Sequence, residues 1–299
     1  MLDFLKKLFK KKDETPQPIG VKTAPLSENQ LEVVTSKLVP IHPSQFIVGV
    51  GQSVGRQRDH NEDTLFILNT LLAGTNDSLP FGVFIVADGM GGHQNGEVAS
   101  MVATRALESY LVRKLFQPLY GLKPEPNAES FQEIMQGAVN EAQQAVLRQV
   151  PGGGTTLTAA FILGEQVTMA HIGDSRGYLI FPDGRMQVVT RDHSLVHRLV
   201  ELGQITEKEA MVHPQKSVLY RALGQGEPLE ADISTFLLPH PGYLMLCSDG
   251  LWGVVPDIEI FQIVSKASHP SVACQDLIDA ANHAGGPDNI SVVLIQYPN

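Results

Sequence analysis

Residues 86–100 read VADGMGGHQNGEVAS, and what this stretch forms decides the fold. The apolar run VFIVA stops at Asp88, four glycines follow within eight residues, and a helical pattern then takes over. Three readings compete: a hairpin turn, a phosphate cradle and a metal site. A dinucleotide fingerprint counted from Gly89 and Gly91 needs a third glycine where Gln94 stands. A Walker loop from Gly91 to Gly96 needs lysine next, and Glu97 would repel the phosphate that lysine should hold. Asp-Gly is a strong turn signal, but no β-run follows at hairpin distance.

The same local design recurs. VFIVADG and YLMLCSDG each end an apolar run with Asp-Gly, and MAHIGDS ends one with Asp174. GGPDNISVVLI opens a run with Asp288, and RDHNEDTLFIL opens one with Glu62 and Asp63. Any one of these carboxylates is explained as a turn or strand-end residue. Six of them at the ends of five β-runs are harder to dismiss, because strand ends on one sheet edge converge and uncompensated carboxylates repel. A divalent cation resolves that repulsion. All-oxygen ligation selects Mg²⁺ or Mn²⁺ over zinc. The ten histidines show no HExxH or HxH spacing and are expected mostly in loops or at the surface. Carboxylates sharing two metals are suited to attack on phosphorus by water, which also needs a cation on the phosphate oxygens. Arg58, four residues before Glu62, suits that bidentate role.

Around these motifs the pattern predicts an α+β fold. Apolar positions from Phe131 to Val150 follow a 3.6-residue period, and Gly96 to Phe116 does so less cleanly. A helical pair over about 257–284 precedes the last strand. Short β-rich runs fill the rest, with FPDGR a hairpin turn that places Asp183 and Gly184 at positive φ. Consecutive hairpins with separately grouped helices do not make a βαβ series.

The 299 residues suffice for one large domain, and 43% hydrophobic content supports a sizeable core. The net charge of −10 argues against general nucleic-acid binding. Two cysteines without CxxC spacing exclude a disulfide framework and suit a reducing cytosol. Nothing approaches the roughly 20 apolar residues of a membrane span. The N-terminal segment 1–12, MLDFLKKLFKKK, carries five of the 22 basic residues, with Leu2, Leu5 and Phe9 on one helical face. It reads either as an interfacial helix on anionic lipid or as a solubilising tail. Residues 13–45 hold five prolines and read as a linker, so the folded domain is expected over 46–299.

Eight segments, in order, resemble the bacterial form of the type 2C metal-dependent serine/threonine protein phosphatases. They are GRQRDHNED, VADGMGGHQNGEVAS, GGGTTLTAAFI, AHIGDSRGYLI, TRDHSLVHRLVELGQIT, HPQKSVLYRALG, LCSDGLWGVV and GGPDNISVVLI. The resemblance implies a four-layer α-β-β-α sandwich, two packed antiparallel sheets flanked by helix pairs, with a flap over about 191–230. It implies hydrolysis of phosphoserine and phosphothreonine in proteins, opposing Ser/Thr kinase signalling. It implies that Asp88 bridges two metals, that the Gly89 carbonyl binds one, and that Asp249 and Asp288 ligate the other. Glu62 and Asp63 would hold water, Arg58 would grip phosphate, and Asp174 with Asp249 would form a weaker third metal site. Gln52 and Ser53 replace a Ser-Asp pair common in the family, and Met90 replaces the histidine that protonates the leaving oxygen in the animal branch. His93 is a weaker candidate for that proton. The substrates expected are phosphorylated proteins, including a kinase, and the chain is expected to be monomeric and cytoplasmic, in weak peripheral contact with the membrane if residues 1–12 bind lipid. The alternatives are a phosphatase of a transcription-control switch partner, whose relatives tend to lack the flap, and a binding module that senses phosphorylated partners without turnover.

Overall fold

The computed structural model describes residues 45–73, 78–91, 94–116, 129–226 and 229–297. The basic segment 1–12, the proline-rich stretch to residue 44 and His93 lie outside these residues.

Alternation of apolar side chains builds two antiparallel sheets. One runs in the order β1 (Ile47–Ser53), β11 (Ile290–Tyr297), β10 (Gly242–Cys247), β7 (Arg176–Ile180), β8 (Met186–Val188). The other runs β2 (Asp63–Ala73), β3 (Ser78–Met90), β5 (Leu157–Leu163), β6 (Gln166–Ile172), β9 (Asp232–Leu237), with β4 (Gly154–Thr155) paired to the end of β3. Successive residues of a strand point to opposite faces. On β3, Phe84 and Val86 turn towards the opposing sheet, while Phe81, Val83 and Ile85 turn away. On β10, Leu244 and Leu246 face inward, and Met245 and Cys247 face outward. Both faces of each sheet are therefore apolar, and each outer face needs a cover.

Helices supply it. α1 (Gln94–Leu111), ending in a π-helical turn at Val112–Phe116, packs with α2 (Phe131–Gln149) over the six-stranded sheet. Ser130 and Glu133 form a reciprocal capping box that starts α2. After β10 comes the single turn α5 (Asp249–Trp252), then α6 (Asp257–Lys266) and α7 (Pro270–His283) over the five-stranded sheet. The result is the four-layer sandwich that the family resemblance implies. A Cβ on Gly49 of β1 would collide with the backbone at Pro270, so glycine there lets α7 lie directly on the strand.

Between β8 and β9 the chain leaves the sheets as the flap region, with α3 (Leu195–Glu201) and α4 (Glu207–Met211). Ser194 caps α3, and Thr206 with Glu209 boxes α4. The base of this excursion is closed where Leu195 N–H donates to the Val218 carbonyl at 2.8 Å.

Candidate active site

The antiparallel register sets Asp63, first residue of β2, directly across from Asp88 of β3. Two threonines fix Asp88 by its backbone. Its N–H donates to Thr156 Oγ1 at 2.9 Å, and Thr155 Oγ1 donates to its carbonyl at 2.9 Å. Gly89 N–H donates to the Glu62 carbonyl at 3.2 Å. A Cβ on Gly89 would overlap the backbone of Gly96 in the first turn of α1 and crowd Glu62, so only glycine permits this three-way approach.

The five-stranded sheet delivers its carboxylates beside these. β10 passes through Ser248 into α5, whose first residue is Asp249. Ser248 Oγ donates to Asp63 Oδ2 at 2.8 Å and so ties the two sheets together at the site. Asp288 precedes β11. Its neighbour Asn289 accepts from Glu62 N–H at 2.8 Å and donates to the Val54 and His60 carbonyls at 2.9 Å each. One buried amide thus organises the loop that carries Arg58, His60 and Glu62. Asp174 follows β6 and is 6% exposed.

The electrostatics are those of an uncompensated anionic cluster. Burial, then the charges of Asp63, Asp249, Asp174 and Asp288, pushes the Asp88 carboxyl well above its ordinary range. Burial, then Asp249 and Asp192, does the same to Asp174. Asp63 is pushed up to about 7, mainly by burial. Asp249 is pushed up to about 6 by burial and Asp288. Buried carboxylate oxygens are normally hydrogen-bonded, yet among the described residues Oδ1 of Asp63 and Oδ1 of Asp249 have no hydrogen-bond partner.

An oxygen-binding divalent cation fits this donor set. Among the described residues, no three His, Cys, Asp or Glu side chains close into a ligand set by themselves.

At the rim, Arg58 Nη2 donates to Asp288 Oδ2 at 2.8 Å, and Arg58 remains half exposed. That bond raises its pKa against a smaller opposing effect of burial, with Glu62 and Asp249 adding to the rise. His60 Nε2 lies 3.1 Å from Glu62 Oε1. Met90 offers its sulfur to Gln225 Nε2 at 3.7 Å.

The structure therefore brings Arg58, Glu62, Asp63, Asp88, Gly89, Asp174, Asp249 and Asp288 to one place across both sheets. Sequence reasoning missed the residues that hold them. Gln52 donates to the Asp63 carbonyl at 3.1 Å and to Ser291 Oγ at 3.2 Å, so the departure at this position is itself part of the framework. Ser248 and Asn289 each adjoin an assigned aspartate, which was the available signal. Two histidines depart from the surface expectation: His171 and His193 are 2% and 1% exposed. Burial, reinforced by His193, lowers the His171 pKa to about 4 and keeps it neutral.

A cluster of unneutralised carboxylates across the ends of two packed sheets defines a metal-dependent enzyme. Comparison with known proteins sharpens the class. The family model Protein phosphatase 2C matches residues 47–290. The chain is 39% identical over 250 residues to the serine/threonine phosphatase stp of Listeria innocua, covering 81% of this chain and 92% of that one. Among solved structures it resembles the Mycobacterium tuberculosis serine/threonine phosphatase PstP/Ppp, with a TM-score of 0.71 and 31% identity, covering 85% of this chain and 100% of the other. It also resembles the catalytic domain of the phosphatase PstP in complex with two manganese ions, with a TM-score of 0.69 and 30% identity, over 85% and 99% of the two chains. The chain belongs to the protein phosphatase 2C family. It is a protein phosphatase that depends on divalent metal and acts on phosphoproteins.

Proposed function

We propose that this enzyme hydrolyses phosphoserine and phosphothreonine in proteins, and that the carboxylates described above hold its metals. Asp88, Asp249, Asp288 and the Gly89 carbonyl would hold two divalent ions, Mg²⁺ or Mn²⁺, with Asp174 and Asp249 providing a weaker third position. Such ions, when bound, make water a competent nucleophile at neutral pH and shield the phosphate charge. The observation that carries the assignment is the pair of buried, unpartnered oxygens on Asp63 and Asp249 within a cluster of mutually repelling carboxylates.

The chain's own side chains do the rest. Arg58 stands half exposed at the rim, where its guanidinium can take two phosphate oxygens in a bidentate grip. Glu62 and Asp63 accept hydrogen bonds from water in the cleft and orient it. Met90 cannot give a proton, so the leaving serine or threonine oxygen takes its proton from water or from another group. The reaction has no phosphoenzyme. Both cysteines are fully buried in the apolar layer between the five-stranded sheet and its helices. Burial pushes the Cys247 thiol far up and the Cys274 thiol up to about 12, so neither supplies a thiolate.

The flap region beside the cleft supports action on protein substrates, including a partner Ser/Thr kinase. The excess of lysine in residues 1–12 supports weak contact of a monomeric enzyme with the inner face of the membrane. No helix among the described residues is long and apolar enough to cross a bilayer. Phosphopeptide turnover with Mn²⁺, with and without chelator, tests the reaction, and activity retained in EDTA would sink it. Vesicle binding by the full chain and by a form starting at residue 13 tests the membrane contact. Equal partition of the two onto anionic vesicles removes that contact.

A further inference from the structure

The one tryptophan of the chain stands between two of the cleft carboxylates. Trp252 is the last residue of α5, the single turn that begins with Asp249. Its indole Nε1–H donates to the main-chain carbonyl of Asp174 at 3.0 Å. Its ring is held from one face by Arg176, whose guanidinium carbon lies 3.5 Å from the ring centroid. Arg176 is itself locked. Nε donates to Asp192 Oδ1 at 3.0 Å and Nη2 to Asp192 Oδ2 at 2.7 Å, while Nη1 donates to the Tyr178 hydroxyl at 3.3 Å. Asp192 is 4% exposed and Tyr178 is fully buried, so this support is rigid.

The geometry has a mechanical meaning. Asp174 lies in the crossover from β6 to β7, and Asp249 follows β10, which pairs with β7 through Arg176 and Cys247, so the ladder brings together two carboxylates that like charge drives apart. The turn of α5 and the indole hydrogen bond join them through four residues and one N–H. The other side of the Asp174 loop is fastened separately, by Gly173 N–H to His193 Nδ1 at 3.1 Å and by His193 N–H to the Gly173 carbonyl at 2.7 Å. Beyond the last β7–β10 pair, Trp252 thus adds a side-chain tie between the Asp174 loop and the turn that carries Asp249.

We infer that Trp252 is a positioning residue that holds Asp174 against Asp249 and so preorganises that pair for a divalent ion. The inference rests on the metal assignment proposed above. Groups that orient metal ligands typically change affinity 10- to 100-fold when removed.

The experiment uses the full-length protein and Mn²⁺, with free ion counted by its electron paramagnetic resonance signal and Trp252 emission followed in parallel. In the unaltered protein, emission changes with the weakest binding step, and Asp174→Asn removes both that step and the change. Trp252→Phe keeps a ring under Arg176 but loses the N–H. It weakens the weakest step about 10-fold and leaves the tighter steps within about twofold, and it adds nothing in an Asp174→Asn background. The inference is overturned if the weakest step is unchanged in Trp252→Phe, or if tight and weak steps loosen together. It is overturned equally if Trp252 emission ignores the weakest step, a readout that needs no change at Trp252. Two ions with no third also overturn it while leaving the two-metal site intact. No bound ion at all overturns the metal assignment beneath it.

Discussion

Two polar regions lie side by side, and their chemistry is opposite. At the flap base the polar side chains pair with groups of opposite character. Arg176 meets Asp192 in a bidentate pair, and His193 Nε2 lies 3.2 Å from Asp232 Oδ2 while its Nδ1 accepts from Gly173. Arg221 closes the group on Asp232 and Glu230. In the cleft, Asp63, Asp88, Asp174 and Asp249 are carboxylates facing carboxylates, and the charges of Arg58, Lys216 and Arg176 offset their repulsion only in part. Burying a polar group is costly unless it is paired. A region that meets that cost internally belongs to the framework. A region that leaves it unmet is built to be completed by something from outside.

The contrast is sharpest in the response to losing one carboxylate. Asp249→Asn is expected to cut phosphopeptide turnover at saturating Mn²⁺ at least about 100-fold. The same change relieves repulsion, so the chelated protein should melt higher than its parent in EDTA. Asp192→Ala should do the reverse. Breaking a buried pair and leaving Arg176 alone costs about 3–5 kcal/mol, read as a fall in denaturant midpoint in EDTA and Mn²⁺ alike. Similar destabilisation by both changes in EDTA breaks the distinction.

A smaller test uses pH. The folded-state carboxyls of Asp63 and Asp249 stand at about 7 and about 6, against an ordinary value of 3.8. The folded protein therefore holds protons that the unfolded chain has released. The stability this provides is full below pH 3.8 and is lost as pH rises through about 6 and then 7. Each group changes stability by up to about 1.4 kcal/mol per pH unit in that window. The difference in unfolding free energy between the parent and Asp63→Asn, measured in EDTA from pH 4.5 to 7.5, should fall with rising pH. Mn²⁺ should flatten it. A flat difference in EDTA means the carboxyl is not perturbed. The smallest effect is expected at Arg58, where Lys keeps the charge but loses the fork. Arg58→Lys should raise KM about 10-fold with little change in melting temperature, and an unchanged KM removes Arg58 from substrate binding.

The acidic cleft was legible in the sequence because strand ends are local. An apolar run that stops at Asp-Gly announces itself, and the long period of α2 does too. The paired region was not legible. Arg176 finds Asp192, and His193 finds Asp232, only after the sheets have folded, and neither pair has a spacing that signals contact. β9 gives only a weak signal, because DISTFL is an edge strand with half-exposed side chains and no clean alternation. β1 is equally faint, because its glycines, placed for the approach of α7, dilute the apolar pattern. Asn289 escaped because its three bonds reach residues 54, 60 and 62.

The cleft also has a mechanical side. Asp63 and Asp88 ride on the six-stranded sheet and Asp249 and Asp288 on the five-stranded one, while Asp174 sits in the crossover between the two. The spacing between the two groups is therefore gauged by the thickness of the apolar layer that separates the sheets, where Phe84, Val86, Leu244, Leu246 and Val293 meet. A methyl group added or removed there, far from any carboxylate, rescales the whole constellation at once. The interior of this enzyme is in that sense its calliper, and drift in core volume is drift in the dimensions of the catalytic cleft.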